Sequence, residues 1–118
     1  MSIREVCFLV GKGGAILWSD VGASAALLPD SRARWEAIWK HRAFLQEIAH
    51  SHPVGPLGFS HEDETTMEAL TSALGNAALR FSVVAPNGMV RREQNVDAIV
   101  KEEPWWADLL RMASGMRI

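Results

Sequence analysis

The chain has 118 residues, 48% hydrophobic and 22% charged, which suits one soluble domain folded around one core. Its 12 basic and 14 acidic residues leave a net charge of -2, so composition gives no sign of the basic excess a nucleic-acid binder carries. The length excludes a (β/α)8 barrel, which takes about 250 residues, and the single cysteine, Cys7, excludes an intrachain disulfide or a multi-cysteine zinc site.

Arg4 to Val10 is rich in β-formers and ends at Gly11-Lys12-Gly13-Gly14; a second β-like run, Ala15 to Val21, follows. Glycines can supply positive φ angles, so the pair reads as a hairpin. The glycines are not a phosphate loop, because the GxxxxGK[ST] spacing is missing. The apolar stretch Val6 to Val10 is too short for a signal-peptide core or a membrane span. The simplest reading is therefore a cytoplasmic protein with no membrane partner.

Pro29-Asp30-Ser31 predicts a helix start with Asp30 or Ser31 as cap, and the helix should run to about Leu45. Trp35, Ile38, Trp39 and Leu45 form a stripe expected to pack on a sheet. Gln46 to His52 reads as a strand, and residues 53–60, with Pro53, Gly55, Pro56 and Gly58, as an irregular loop. A helix follows from Ser60 to the stop at Gly75-Asn76. Leu79 to Ala85 is a strand, Asn87-Gly88 a tight turn and Met89 to Glu93 the returning strand. Val96 to Met112 reads as helix, interrupted or restarted at Pro104, with Trp105, Trp106, Leu109 and Leu110 on an apolar side. The order implies one α/β domain over residues 1–118, a mixed β-sheet flanked by helices.

Three of the four histidines lie between positions 50 and 61. Alternate residues of a strand share a face, so His50 and His52 project side by side and can share a metal ion. Catalytic zinc takes three protein ligands and keeps a position for water. Asp63 is the best third ligand. Met67, Leu70 and Leu74 mark the buried face of the helix after Ser60, and Asp63 lies on that face. A buried carboxylate needs a partner. The plainer alternatives stay open: Ser60-x-x-Asp63 is close to a capping box, and each histidine could be an ordinary hydrogen-bonded residue. An iron facial triad fits poorly, since it pairs a histidine and a carboxylate two apart. A Ser60-His61-Asp63 triad fits worse, because adjacent residues cannot readily form the mutual hydrogen bonds.

His50-Ser51-His52-Pro53 followed by Ser60 and Asp63 resembles the signature of the JAMM family of zinc metalloproteases, also called MPN+ or JAB domains. Ten residues lie between His52 and Asp63, as the family pattern requires. His-Ser-His-Pro with a following Gly-Pro is most like the short prokaryotic members. The order of elements resembles the family more weakly over most of the chain. The resemblance implies an MPN/JAB-like fold with cytidine-deaminase-like layering. It also implies a hydrolase of peptide or isopeptide bonds. In it, Zn2+ would be held by His50, His52 and Asp63, and Ser60 would hydrogen-bond the developing oxyanion. A glutamate on an early strand would move the protons. The implied substrate is the C-terminal tail of a ubiquitin-like or sulfur-carrier protein, which could add a strand to the sheet edge beside the zinc. The chain starts where the family often has a preceding helix, which implies a minimal version.

The candidates for the glutamate are Glu5, Glu36 and Glu47. Glu47 is an odd number of residues from His50 and should face away; Glu36 sits mid-helix. Glu5 lies on the right strand, yet in the family one more residue usually separates the glutamate from the closing glycine. Strict register gives the slot to Arg4, which cannot act as a base; a bulge or shifted turn at Gly11 to Gly14 would restore Glu5, the assignment adopted. The offset motivates the alternative function, a catalytically inactive MPN-like protein-interaction module. A zinc amidase for small amides is a third option without a pocket signature of its own. Cys7 is expected to pack in the sheet, His61 to be a solvent-exposed bystander and His41 to play no part. Trp105-Trp106 is read as core, with a homodimer contact or a substrate groove as the other options.

Overall fold

The computed structural model describes residues 3–21 and 32–116. The first hairpin consists of β1 (Val6–Gly11) and β2 (Ile16–Val21), paired antiparallel. Then come α1 (Arg32–His41), β3 (Leu45–Ser51) and α2 (His61–Leu74). The chain continues through β4 (Arg80–Ala85), β5 (Gly88–Glu93), β6 (Val96–Ile99) and α3 (Trp105–Ser114). Among the described residues, six strands form one sheet in the order β2-β1-β3-β4-β5-β6. Only β3 and β4 pair parallel, and α2 makes the crossover such a pair requires. A small α/β domain with a mixed sheet is therefore observed, as expected.

β1 is apolar on both faces because both faces are covered. Cys7 and Leu9 join Ile48 and Phe81 under Ile38 of α1 and Met67 and Leu70 of α2. Val6, Phe8 and Val10 join Ala49, Val84 and Met89 over Trp106, Ala107 and Leu110 of α3. The sheet is thus the middle of three layers. Arg111 fixes the third layer: its guanidinium donates to the Ala85 and Gly88 carbonyls at 2.9 and 3.1 Å and pairs with Glu103 and Asp108. Among the described residues, no helix is long and apolar enough to cross a membrane.

Three boundaries depart from the sequence expectation. Leu45 does not continue α1 but opens β3, and the expected cap at Asp30 or Ser31 lies outside the described residues. At 3.6 residues per turn the inward arc of α1 runs through Arg34, Ala37, Ile38 and His41. Ala37 and Ile38 are buried, while Trp39 is on the outer side with the Arg42 guanidinium 3.8 Å from its ring. Trp35 sits at the edge of the arc.

The second hairpin turns at Pro86-Asn87, and Gly88 already pairs with Ala85. Pro86, with φ fixed near −65°, suits the first central position of an ordinary turn, and neither Asn87 nor Gly88 takes the positive φ of a primed Asn-Gly turn. Val96–Ile99 is not helix but the edge strand β6, paired with β5 through a turn in which Gln94 and Asn95 have φ of 50° and 64°. Pro104 restarts the chain as α3, as expected, and only one of the tryptophan pair enters the core. Trp106 is buried, and Trp105 is exposed with its indole N–H on the Gly14 carbonyl at 3.1 Å.

Candidate metal centre

β3 supplies the two imidazoles. Cys7 pairs with His50 in the antiparallel β1–β3 ladder, and His50 and His52 share the face covered by α1 and α2. The strand ends at Ser51, and the His52 amide still donates to the Val84 carbonyl at 2.8 Å, holding the second histidine against β4.

Asp63 comes from the first turn of α2. Ser60 is its N-cap, with both halves of a capping box made. The Asp63 N–H donates to Ser60 Oγ at 3.1 Å, and the Ser60 N–H donates to Asp63 Oδ2 at 2.8 Å. The cap is therefore real, and the capping reading and the ligand reading prove compatible: the box orients the carboxylate without using both its oxygens. The helix N-terminus favours that negative charge. Farther along, Gly75 closes α2 in the left-handed conformation with φ of 61°. Arg92 ties the helix start to the sheet through Glu64 at 2.6 Å, with Asp97 on its other side.

The donor atoms converge. His50 Nε2 lies 3.1 Å from His52 Nε2 and 3.1 Å from Asp63 Oδ1, and His52 Nε2 lies 3.3 Å from Asp63 Oδ2. Bonds of about 2.0–2.1 Å in a tetrahedral shell separate neighbouring ligands by roughly 3.3 Å. The two imidazoles approach different oxygens of the one carboxylate, and one donor atom from each of the three residues lies within 4.8 Å of the others, near enough to share an ion. The Pro56 carbonyl lies 3.1 Å from His52 Nδ1. A proton on Nδ1 would serve that contact and leave Nε2 as the lone-pair donor. These three residues are the group that could hold a metal ion among the described residues.

The members of the cluster are electrostatically coupled. Burial pushes the Asp63 carboxyl up, but its bonds with His50, His52 and the Ser60 amide outweigh burial and hold it well below the usual carboxylate range. Burial also opposes charge on His52. The Asp63 hydrogen bond, the Pro56 carbonyl and the negative charges of Asp63 and Glu5 win, so its pKa is raised.

Glu5 is 7% exposed and lines the same cavity as His50, His52, Ser60 and Asp63. Continuing the Cys7–His50 register by two residues sets it opposite His52. The register shifts fall opposite Leu9/Val10 and Val10/Gly11, close to where a bulge was expected, though the extra residues are Leu17 and Gln46 on the partner strands. Arg4 is turned the other way, its Nε donating to the Ala113 carbonyl at 3.1 Å. Glu36 is exposed and paired with Arg32, and buried Glu47 is held by Arg91 at 2.9 Å and Arg80 at 3.5 Å.

The backbone on both sides of Glu5 is pinned. The Arg4 N–H donates to the Ser114 carbonyl at 2.9 Å, and the Ser114 hydroxyl bonds the Arg4 carbonyl. The Val6 N–H donates to Ser51 Oγ at 2.8 Å, which lies 3.1 Å from Ser114 Oγ. The two serines have no sequence signature beyond Ser51's place between the histidines. The cavity also includes Arg34 and Trp35 of α1, which no motif singled out. Arg34 donates to Asp20 at 3.1 and 3.2 Å. Cys7 is buried in the sheet, as expected, and burial pushes its thiol up to about 12. His61 is exposed and absent from the cluster. Comparison with known protein families and with curated proteins gives no match for this chain.

Proposed function

We propose that this chain is a zinc-dependent hydrolase of the JAMM type, with MPN/JAB-like layering, acting on a peptide or isopeptide bond. The observation that carries the reading is the convergence of two Nε2 atoms and a carboxylate within 4.8 Å of one another, with a buried glutamate in the same cavity. His50, His52 and Asp63 would hold the zinc. When bound, zinc supplies a Lewis acid that polarises the scissile carbonyl and acidifies water.

The remaining chemistry belongs to the chain. Glu5 accepts the proton of the attacking water and delivers it to the leaving amine. Ser60 Oγ accepts the Asp63 N–H in the cap, which leaves its hydroxyl proton to donate to the developing oxyanion. The Pro56 carbonyl holds His52 in one tautomer, and the capping box holds Asp63 in one rotamer. The substrate class proposed is the extended C-terminal tail of a ubiquitin-like or sulfur-carrier protein. The alternative, an inactive interaction module, was motivated by the offset of Glu5; the shared cavity of Glu5 with the histidines supports the hydrolase reading instead.

The test is incubation with a panel of tail-extended ubiquitin-like proteins, with and without chelator, scored by product mass. Chelator-sensitive cleavage after the tail is expected, with zinc near one per chain. Glu5→Ala should keep the zinc and lose about 10²–10⁴-fold in rate. An active Glu5→Ala protein refutes the base assignment, and a folded protein that takes up no zinc refutes the hydrolase reading.

A further inference from the structure

The capping box fixes the first turn of α2 internally, but it does not fix where that turn sits against the sheet. In many helices a hydrophobic staple contributes to this: the residue before the N-cap packs on the fourth helical residue. Here the first of these places holds Phe59 and the second holds Glu64, so the two cannot pack as an apolar pair. Arg92 of β5 joins them instead. Its guanidinium carbon lies 4.9 Å from the centre of the Phe59 ring, within the range of a cation–π contact. Nη1 and Nη2 donate to the two Glu64 oxygens, each at 2.6 Å. Nε and Nη2 donate to the two Asp97 oxygens at 2.5 and 2.9 Å, which ties the same guanidinium to β6. Phe59 in turn packs against the core beneath α1 and α2.

We propose that Arg92 is a positioning residue for the candidate metal centre, setting where the Ser60 hydroxyl and the Asp63 carboxylate stand relative to His50 and His52. The inference rests on the hydrolase reading for the metal and on these contacts alone for the position. Arg92 grips the residue before Ser60 and the residue after Asp63, so the segment carrying both functional groups is held at its two ends. The histidines come from β3 and Arg92 from β5 of the same sheet. The clamp therefore refers the helix start to the frame that carries the other two donors. The tolerance is small, because the Asp63 oxygens lie 3.1 and 3.3 Å from the two imidazoles. A planar fork on each carboxylate fixes direction as well as distance, which the point charge of a lysine does not. Glu64 and Asp97 are exposed, and pairs so placed add little to global stability. The effect of the clamp is thus local, on the first turn of α2.

Two measurements on the full chain test this. Both compare Arg92→Gln with Trp106→Phe, a core change in the α3 layer that serves as the reference for a general loss of stability. The first is amide hydrogen exchange of the zinc-free protein. The Ser60 and Asp63 amides should exchange at least about tenfold faster in Arg92→Gln, while those of Leu9 and Leu70 change no more than in Trp106→Phe. The second is zinc affinity at one pH, by competition with a chromophoric chelator. Groups that orient metal ligands are worth about 10–100-fold in affinity, so Arg92→Gln should bind zinc at least about tenfold more weakly, with Arg92→Lys between it and the natural chain. Exchange that rises as much at Leu70 as at Ser60, or a zinc affinity reduced no more than in Trp106→Phe, overturns the proposal. If Arg92→Gln does not fold, Glu64→Gln takes its place under the same criteria. If the natural chain takes up no zinc, the hydrolase reading falls and the exchange measurement alone decides the role of Arg92.

Discussion

Replacing Ser114 by alanine removes the hydroxyl that bonds the Arg4 carbonyl and approaches Ser51 Oγ at 3.1 Å. Both serines are fully buried, so no water replaces the lost partner. Ser51 keeps the Val6 N–H at 2.8 Å, whereas the Arg4 carbonyl loses its side-chain donor. One lost hydrogen bond at about 1 kcal/mol and one part-buried acceptor left without its side-chain donor at about 1–2 kcal/mol sum to roughly 2–3 kcal/mol. For a domain of this size that lowers Tm by roughly 10 °C. Urea and thermal unfolding measure it. A double-mutant cycle with Ser51→Ala should give a coupling of at least about 0.5 kcal/mol, because the two hydroxyls touch. Since these bonds hold the backbone on both sides of Glu5, kcat should fall more than KM changes, with zinc content unaltered. A loss under about 0.5 kcal/mol, additive with Ser51→Ala, would refute the idea that these serines hold the Glu5 segment.

Zinc affinity should weaken as pH falls. A protonated imidazole cannot ligate, and the raised pKa of His52 moves that competition above the ordinary value of 6.5. Below it, His52 alone removes about tenfold in affinity per pH unit. Asp63, held ionised, adds no proton of its own in that range. Competition with a chromophoric chelator between pH 7.5 and 5.5 checks this, and a flat profile contradicts it. In the metal-free protein the sign reverses for stability: the His52 contribution is complete below 6.5 and is lost as pH rises through the raised folded value. Cys7, with its thiol near 12 against an ordinary 9.0, should be alkylated about a thousandfold more slowly than a free thiol at pH 8, until denaturant opens the sheet. Asn95→Ala should lower stability by about 1 kcal/mol, since alanine must enter a left-handed turn at φ 64°. Asn95→Gly should be near neutral, and equal losses in the two variants would count against the turn.

Much of this architecture was legible in residue order, and the failures have physical causes. The two runs of β-formers and the glycines between them marked both strands of the first hairpin, and Ser60 and Gly75 marked both ends of α2. The unbroken apolar run Val6 to Val10, read only as too short for a span, corresponds to a strand buried on both faces. Val96–Ile99 was misread because an edge strand has little periodicity to display: all four of its residues are exposed. Asn95 was the one usable sign, being a residue that tolerates the left-handed region. Trp39 was misread because a hydrophobic stripe does not announce which helix residues face the sheet; Ala37 lets α1 approach closely and turns Trp39 outward. At the candidate site, the spacing of His50, His52 and Asp63 could be read from strand and helix geometry alone. The side of the sheet taken by Glu5 could not. It depends on the β1–β3 register and on Arg4 being claimed by the end of α3, both set by contacts between residues far apart in sequence.

The capping box at the start of α2 joins two equilibria. Asp63 Oδ2 receives the Ser60 N–H while its carboxylate faces the histidines, so any ion drawing on that carboxylate also acts on the first turn of the helix. Metal binding and helix initiation are thermodynamically linked, and the linkage runs both ways. The amides of Ser60 and Asp63 therefore act as built-in reporters. Their hydrogen exchange should slow when zinc is added, before any substrate is present, and their protection will rise with the free-ion concentration as a binding isotherm.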